Sequence, residues 1–360
     1  MRMKHLAGVL VVGLVVGVSG SVAGQELSPA ALTRIKGGFD KIEKGQAREG
    51  RQALVAEFDQ AAPELKTAVA KKVAEQAEPL LKKLDGPRAF QLALAVAAIH
   101  DAATQPALEV MVSHKDEAVR LLGWRGYVWT DPEGQRDGVR EQLIAAKSTG
   151  ASAMWASLAS RFEKETSSVI YGTMFEMMRI PPLARHGMGA AAADAVDAAN
   201  LALLEKSLND VCMKIVDGGD EEMTRSARGA LMAMEYFHRN GQAETKNKVV
   251  RYVVEILYCA AKSYELEAAE GDLAEAAKQL VVDADLLLRR LTEKRLSESL
   301  DKALKSEDPG SAVVLVAYDW CEMLSVDKAD VTKKYQAKYR TKATTQPAKI
   351  AAPPAKGAAK

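Results

Sequence analysis

Between residues 25 and 335 almost every segment carries the marks of an α-helix, and no run alternates apolar and polar residues as a half-buried strand would. Ala, Leu, Glu and Lys, all strong helix formers, dominate these segments. Start signals recur where a capping or turn residue precedes proline: Ser28-Pro29, Gly86-Pro87, Asp131-Pro132 and Asp308-Pro309. Asn240-Gly241, Gly150, Gly218-Gly219 and Gly271 mark further breaks. The candidate helices include 87–103, 115–129, 189–216, 220–239, 243–269, 272–306 and 309–325, and most are joined by short links. Such a chain packs successive helices as antiparallel neighbours. Ile180-Pro181-Pro182 is the sharpest internal break, so a sub-boundary is expected near 180–188. In 243–269 the apolar face is wide: Val249, Val253, Ile256, Leu257 and Ala260 are flanked by Val250, Val254 and Tyr258. A helix of that kind has to touch neighbours on two sides, as in a layered array.

The two ends differ from this body. Arg2 and Lys4 precede the apolar run Leu6–Val18 and a small-residue stretch to Gly24. This reads as a signal peptide over 1–24, cleaved after Ala23 or Gly24, because the run is shorter than the ~20 residues a spanning helix needs. The chain is therefore expected to be exported, periplasmic or extracellular, with no transmembrane segment once mature. At the other end, 336–360 is mostly Ala, Lys, Pro and Thr, a composition expected to stay disordered.

Charge follows the same division. The formal net charge is +1, but residues 25–332 hold 39 basic and 48 acidic residues, while 333–360 hold eight basic and no acidic ones. An acidic body thus carries a basic tail. That tail reads first as a solvated, solubilising segment and alternatively as a tether to an anionic envelope surface. Nucleic acid is not an expected partner, since the balance supplies no global basic field and aromatics make up only 5%.

Ser113–Tyr127, SHKDEAVRLLGWRGY, has an acidic turn leading into a helix with Val119-Arg120, then Gly123, Gly126 and Tyr127. This pattern resembles the turn and second helix of a HEAT repeat, most clearly over 106–129. Asp220–Leu231 is a weaker copy within 209–239, with Met223, Ala227, Ala230 and Leu231 in register and Thr224 at the arginine slot. Asp308–Cys321, within 300–325, is weaker again: Val313, Ala317 and Cys321 fit, and Val314 takes the arginine slot. The resemblance implies an all-α, irregular HEAT-like helical-hairpin solenoid over 25–335. Its rival is a layered helical bundle without true repeats.

No catalytic constellation stands out, and no metal or cofactor is expected. Cys212, Cys259 and Cys321 lack metal-ligand spacing and read first as buried thiols, with a Cys212–Cys259 disulfide as the alternative. Met174, Met177, Met178 and Met188 with His186 have copper-type chemistry but read as core. Asp217, Asp220, Glu221 and Glu222 read as a helix cap and first turn rather than a Ca²⁺ loop. Gly187-Met188-Gly189 follows no strand, which removes the dinucleotide reading. Trp124, Arg125, Tyr127 and Trp129 are the densest aromatic group, read as packing or, alternatively, as a surface for a protein partner. The function expected is a non-catalytic protein-binding scaffold or adaptor. An enzyme with an unrecognised Asp, Glu and His site, or a small-molecule or lipid carrier, are the alternatives.

Overall fold

The computed structural model describes residues 26–128, 138–145, 158–180, 185, 189–267, 271–296 and 299–337. Among these residues there are fifteen α-helices with described bounds, a further helical stretch at 158–162, one 3-10 turn and no strand. In chain order they are α1 (Pro29–Glu43), α2 (Ala47–Gln60), α3 (Pro63–Leu81), α4 (Gly86–Ala98), the turn Ala102–Thr104, α5 (Gln105–Met111), α6 (Glu117–Val128) and α7 (Val139–Ala145). There follow α8 (Ser168–Met177), α9 (Ala190–Val216), α10 (Glu221–Asn240), α11 (Ala243–Leu266), α12 (Gly271–Thr292), α13 (Leu300–Leu304), α14 (Pro309–Met323) and α15 (Lys328–Lys334).

Local chemistry sets many of the boundaries. The side chains of Ser28, Asp220 and Asp308 accept hydrogen bonds from the backbone N–H groups of Ala31, Met223 and Ser311, capping α1, α10 and α14. Pro29, Pro63, Pro87 and Pro309 sit in first turns, where a missing N–H costs nothing. Two expected helices are shorter than their sequence suggests. The segment 87–103 stops at Ala98, and Asp101 starts the 3-10 turn by accepting from the Ala103 N–H. The segment 272–306 is two helices: Glu293 takes a positive φ of 56°, and Ser299 caps a new start by accepting from the Lys302 N–H.

The helices stack in two layers. In one, α2, α4, α6, α8, α10 and α12 each pack on the next. In the other, α1, α3 and α5 lead towards α9, α11 and α14, with the helical residues 158–162 between α5 and α9. Helix pairs such as α1–α2, α5–α6 and α11–α12 bridge the layers. This layered all-helical array is compatible with a helical-repeat fold. One apolar core runs through it, from Ile35 and Phe58 past Tyr127 and Phe175 to Phe237, Ile256 and Trp320. Packing of α8 on α10 carries that core past the break at 180–188. As its wide apolar face requires, α11 contacts α9, α10, α12 and α14. No helix among the described residues is long and apolar enough to cross a membrane. The leader 1–24, the tail 338–360 and Trp129 lie outside the described residues.

Gly123 shows why the α5–α6 hairpin needs a small residue. A Cβ there would lie 2.7 Å from the Val112 backbone nitrogen and 2.8 Å from the Met111 Cβ. Gly123→Ala is expected to cost about 1–3 kcal/mol by forcing the pair apart. Gly37→Ala, where a Cβ meets nothing within 4 Å, is expected to be stabilising by up to about 1 kcal/mol. Thermal melting of the two variants checks both signs.

Candidate functional site

Two adjoining clefts open where the α5–α6 turn meets the segment after residue 158. The first, about 670 Å³, is lined by Val112, Ser113, Arg120, Ser160, Arg161, Lys164, Glu165 and Thr166. The second, about 590 Å³, shares Ser113 and Arg161 and adds Glu78, Lys82, Glu109, His114 and Lys115 from α3, α5 and the turn. Together they bring Arg120, Arg161, Lys164, Lys82 and Lys115 against Glu165, Glu78 and Glu109. A cationic surplus therefore sits on an acidic body.

Arg120 organises the floor. Its Nε and Nη2 donate to the Glu165 carboxylate at 3.0 and 3.1 Å, the two-point geometry that only a guanidinium provides. Its Nη1 donates to the carbonyls of His114 and Lys115, both at 3.1 Å. One side chain thus fastens the turn before α6 to the loop before α8. Glu165 has a side chain only 4% exposed and also accepts from the backbone N–H groups of Thr166 and Ser167. Burial works to raise its pKa. The Arg120 and backbone hydrogen bonds outweigh that and hold the carboxyl below its ordinary value.

The rim is built the same way. Arg161 donates to the Glu109 carbonyl at 2.6 Å. The His114 Nδ1 accepts from the Asp116 N–H at 3.0 Å, which leaves Nε2 to donate to the Leu84 carbonyl at 3.3 Å. Lys115 pairs with Asp85 at 2.7 Å and Lys82 with Glu78 at 2.7 Å, both across exposed side chains. Lys164 is exposed at the mouth.

The aromatic group behind this floor faces inward. Trp124 and Tyr127 are buried and Arg125 is half-buried, so the two rings present no surface to a partner. The reason is that α6 is covered by α4, α5 and α8 on several sides, which lets residues on different helix faces all reach apolar neighbours. Burial pushes the Tyr127 phenol pKa up, and Glu109 adds to the effect. The remaining member of that group, Trp129, is outside the described residues.

Other sequence candidates resolve into packing. Met174, Met177 and Met178 are core residues, while His186 and Met188 are outside the described residues. Asp220 is the α10 cap, and Glu221 pairs with Arg225. Asp283 on α12 is half-buried and pairs with Arg228 at 2.5 Å, and Asp285, two positions on, is deeply buried. Cys212, Cys259 and Cys321 are all free and buried. No group of three or more His, Cys, Asp or Glu side chains suited to a metal ion occurs among the described residues.

A polar cluster that local sequence patterns do not reveal lies between α9 and α10. Arg185 donates to Asp197 and to the Tyr236 hydroxyl, and Tyr236 in turn donates to Asp197 at 2.9 Å. Burial raises the Asp197 pKa despite these donors and pushes the Tyr236 phenol up to about 12. The cluster satisfies its own members, as a packed polar link between layers does.

The molecule is thus a two-layer helical array with an open, charge-lined double cleft. No family model, curated protein or solved structure matches the chain.

Proposed function

We propose that this chain is an exported, non-catalytic scaffold of HEAT-like helical repeats that holds an acidic segment of a partner protein in the Arg120–Arg161 double cleft. The observation that carries the reading is the surplus of five cationic over three acidic side chains lining the clefts of a body with net negative charge. Such a local field draws in and orients carboxylate-bearing chains and repels the rest of the acidic surface. The small-residue approach of α5 and α6 at Gly123 supports the HEAT-like part of the proposal. The lining suits an extended peptide better than a lipid, because charged groups dominate it. In this proposal the basic tail tethers the scaffold to an anionic envelope surface.

Fluorescence anisotropy with a labelled oligoglutamate peptide tests the cleft. Lys164→Glu combined with Lys115→Glu is expected to weaken binding roughly tenfold at low salt, and added salt should narrow the gap between variant and parent. Equal affinity for the parent and the doubly reversed protein, at equal melting temperature, would remove the cleft from the proposal.

A further inference from the structure

A third cleft, about 310 Å³, shares no lining residue with the double cleft. Three arginines line it: Arg140 on α7, Arg179 just after α8 and Arg239 in the last turn of α10. The carboxylates beside them, among the described lining residues, are Glu176 and Glu235. Arg140 is already spent. Its Nε and Nη2 donate to the neighbouring Glu141, and its Nη1 donates to the Glu176 carbonyl at 3.0 Å. Arg140 and Glu141 are both buried, so this pair is a fixed part of the wall.

The other two arginines are held loosely. Arg179 reaches Glu176 at 3.5 Å and Arg239 reaches Glu235 at 3.6 Å, both longer than a usual hydrogen bond. The Arg179 Nε is sealed from solvent with no hydrogen-bond partner, a costly state for a charged donor. Glu235 accepts instead from Arg290 on α12, at 3.1 Å. Setting Arg140 against Glu141 and Arg290 against Glu235 leaves two cations, Arg179 and Arg239, facing one carboxylate, Glu176. The cleft thus keeps one positive charge in excess, on guanidiniums whose donors are poorly used. Met232, on the lining, is among the few large apolar side chains left exposed.

We infer that this cleft is a binding site for a small phosphate monoester, with the phosphate held by Arg179 and Arg239 and an apolar body resting on Met232. One guanidinium fork is enough for a carboxylate, whereas a phosphate near neutral pH carries close to two charges and three acceptor oxygens. Its oxygens can take donors from both arginines at once. The volume lies at the lower end of the range for small-molecule sites, which fits one phosphate and a single ring. The site is separate from the double cleft and does not depend on the acidic-peptide reading.

Calorimetric titration of the full chain with phenyl phosphate at low salt tests the site. Saturable binding is expected, tighter than that of inorganic phosphate, which has no ring, and of benzoate, which has one charge. Absence of saturable phenyl phosphate binding overturns the site. Benzoate binding as tightly as phenyl phosphate overturns the phosphate assignment. Arg179→Gln and Arg239→Gln are each expected to weaken phenyl phosphate about tenfold, the factor for one lost hydrogen bond to a charged group. Parental affinity in either variant, at unchanged melting temperature, overturns that arrangement. Met232→Ala changes an exposed residue and serves even if an arginine variant fails to fold. It is expected to weaken phenyl phosphate about threefold, equivalent to roughly 25 Å² of lost apolar contact, and to leave inorganic phosphate unchanged. No loss, or an equal loss for both ligands, overturns the apolar seat.

Discussion

Trp320→Ala is expected to destabilise the protein by about 4–5 kcal/mol, read as a large fall in the urea midpoint. Trp320 is fully buried, and its indole Nε1 donates to the Asp285 carboxylate at 2.8 Å. Arg289 holds the same carboxylate at 2.8 Å from one helical turn away on α12. Alanine removes the largest side chain of this region and leaves a cavity between α12 and α14. It also takes a donor from a carboxylate whose side chain is only 3% exposed. Trp320→Phe separates the two losses. It keeps most of the volume and is expected to cost about 2 kcal/mol, chiefly through the lost hydrogen bond to a charged group. A negligible cost for the phenylalanine variant would assign the effect to volume alone.

The second large effect is at the cleft floor. Arg120→Ala is expected to cost about 3–5 kcal/mol near neutral pH, because it leaves the Glu165 carboxylate buried without its counter-charge. The pH dependence has a definite sign. In the parent, the folded-state pKa of Glu165 lies below its ordinary value, so its contribution is complete above the unfolded pKa of about 4.3. That contribution is lost as pH falls through the depressed folded value. Without Arg120, burial opposes only the backbone donors of Thr166 and Ser167, and the Glu165 pKa moves up. Protonation then relieves the variant at acid pH while it harms the parent. Urea titrations from about pH 7 to about pH 4 should therefore show the stability gap narrowing. A constant gap across that range would mean that Arg120 acts through its contacts to the carbonyls of His114 and Lys115. Arg120→Lys should recover only part of the loss, since an ammonium cannot make the two-point pairing.

The all-helical character was legible because it is written locally. Ser28, Asp220 and Asp308 announce helix starts in their own neighbourhoods, and the structure uses each as a cap. The break between α12 and α13 was not legible, since Glu293 enters positive φ without the glycine that usually marks such a turn. Trp124 and Tyr127 are buried, as the packing reading of that aromatic group had it, and α6 can bury both because it has neighbours on several sides. The clefts depend on pairs far apart in the chain: Arg120 with Glu165 across 45 positions, and Arg161 with Glu109 across 52. Only one signal pointed there, the arginine slot of the HEAT-like segment that Arg120 fills.

Glu255 gives the fold an order of events. Its carboxylate is buried in α11, and its partners Lys334 and Tyr335 come 79 and 80 residues later. Without those two, the charged partner that Glu255 has among the described residues is the largely exposed Arg251, one turn earlier, at 3.2 Å. Sealing a charge from water without enough partners is costly, so α11 gains little from full burial until the final helix arrives. The last residues of the body therefore act as a completion signal.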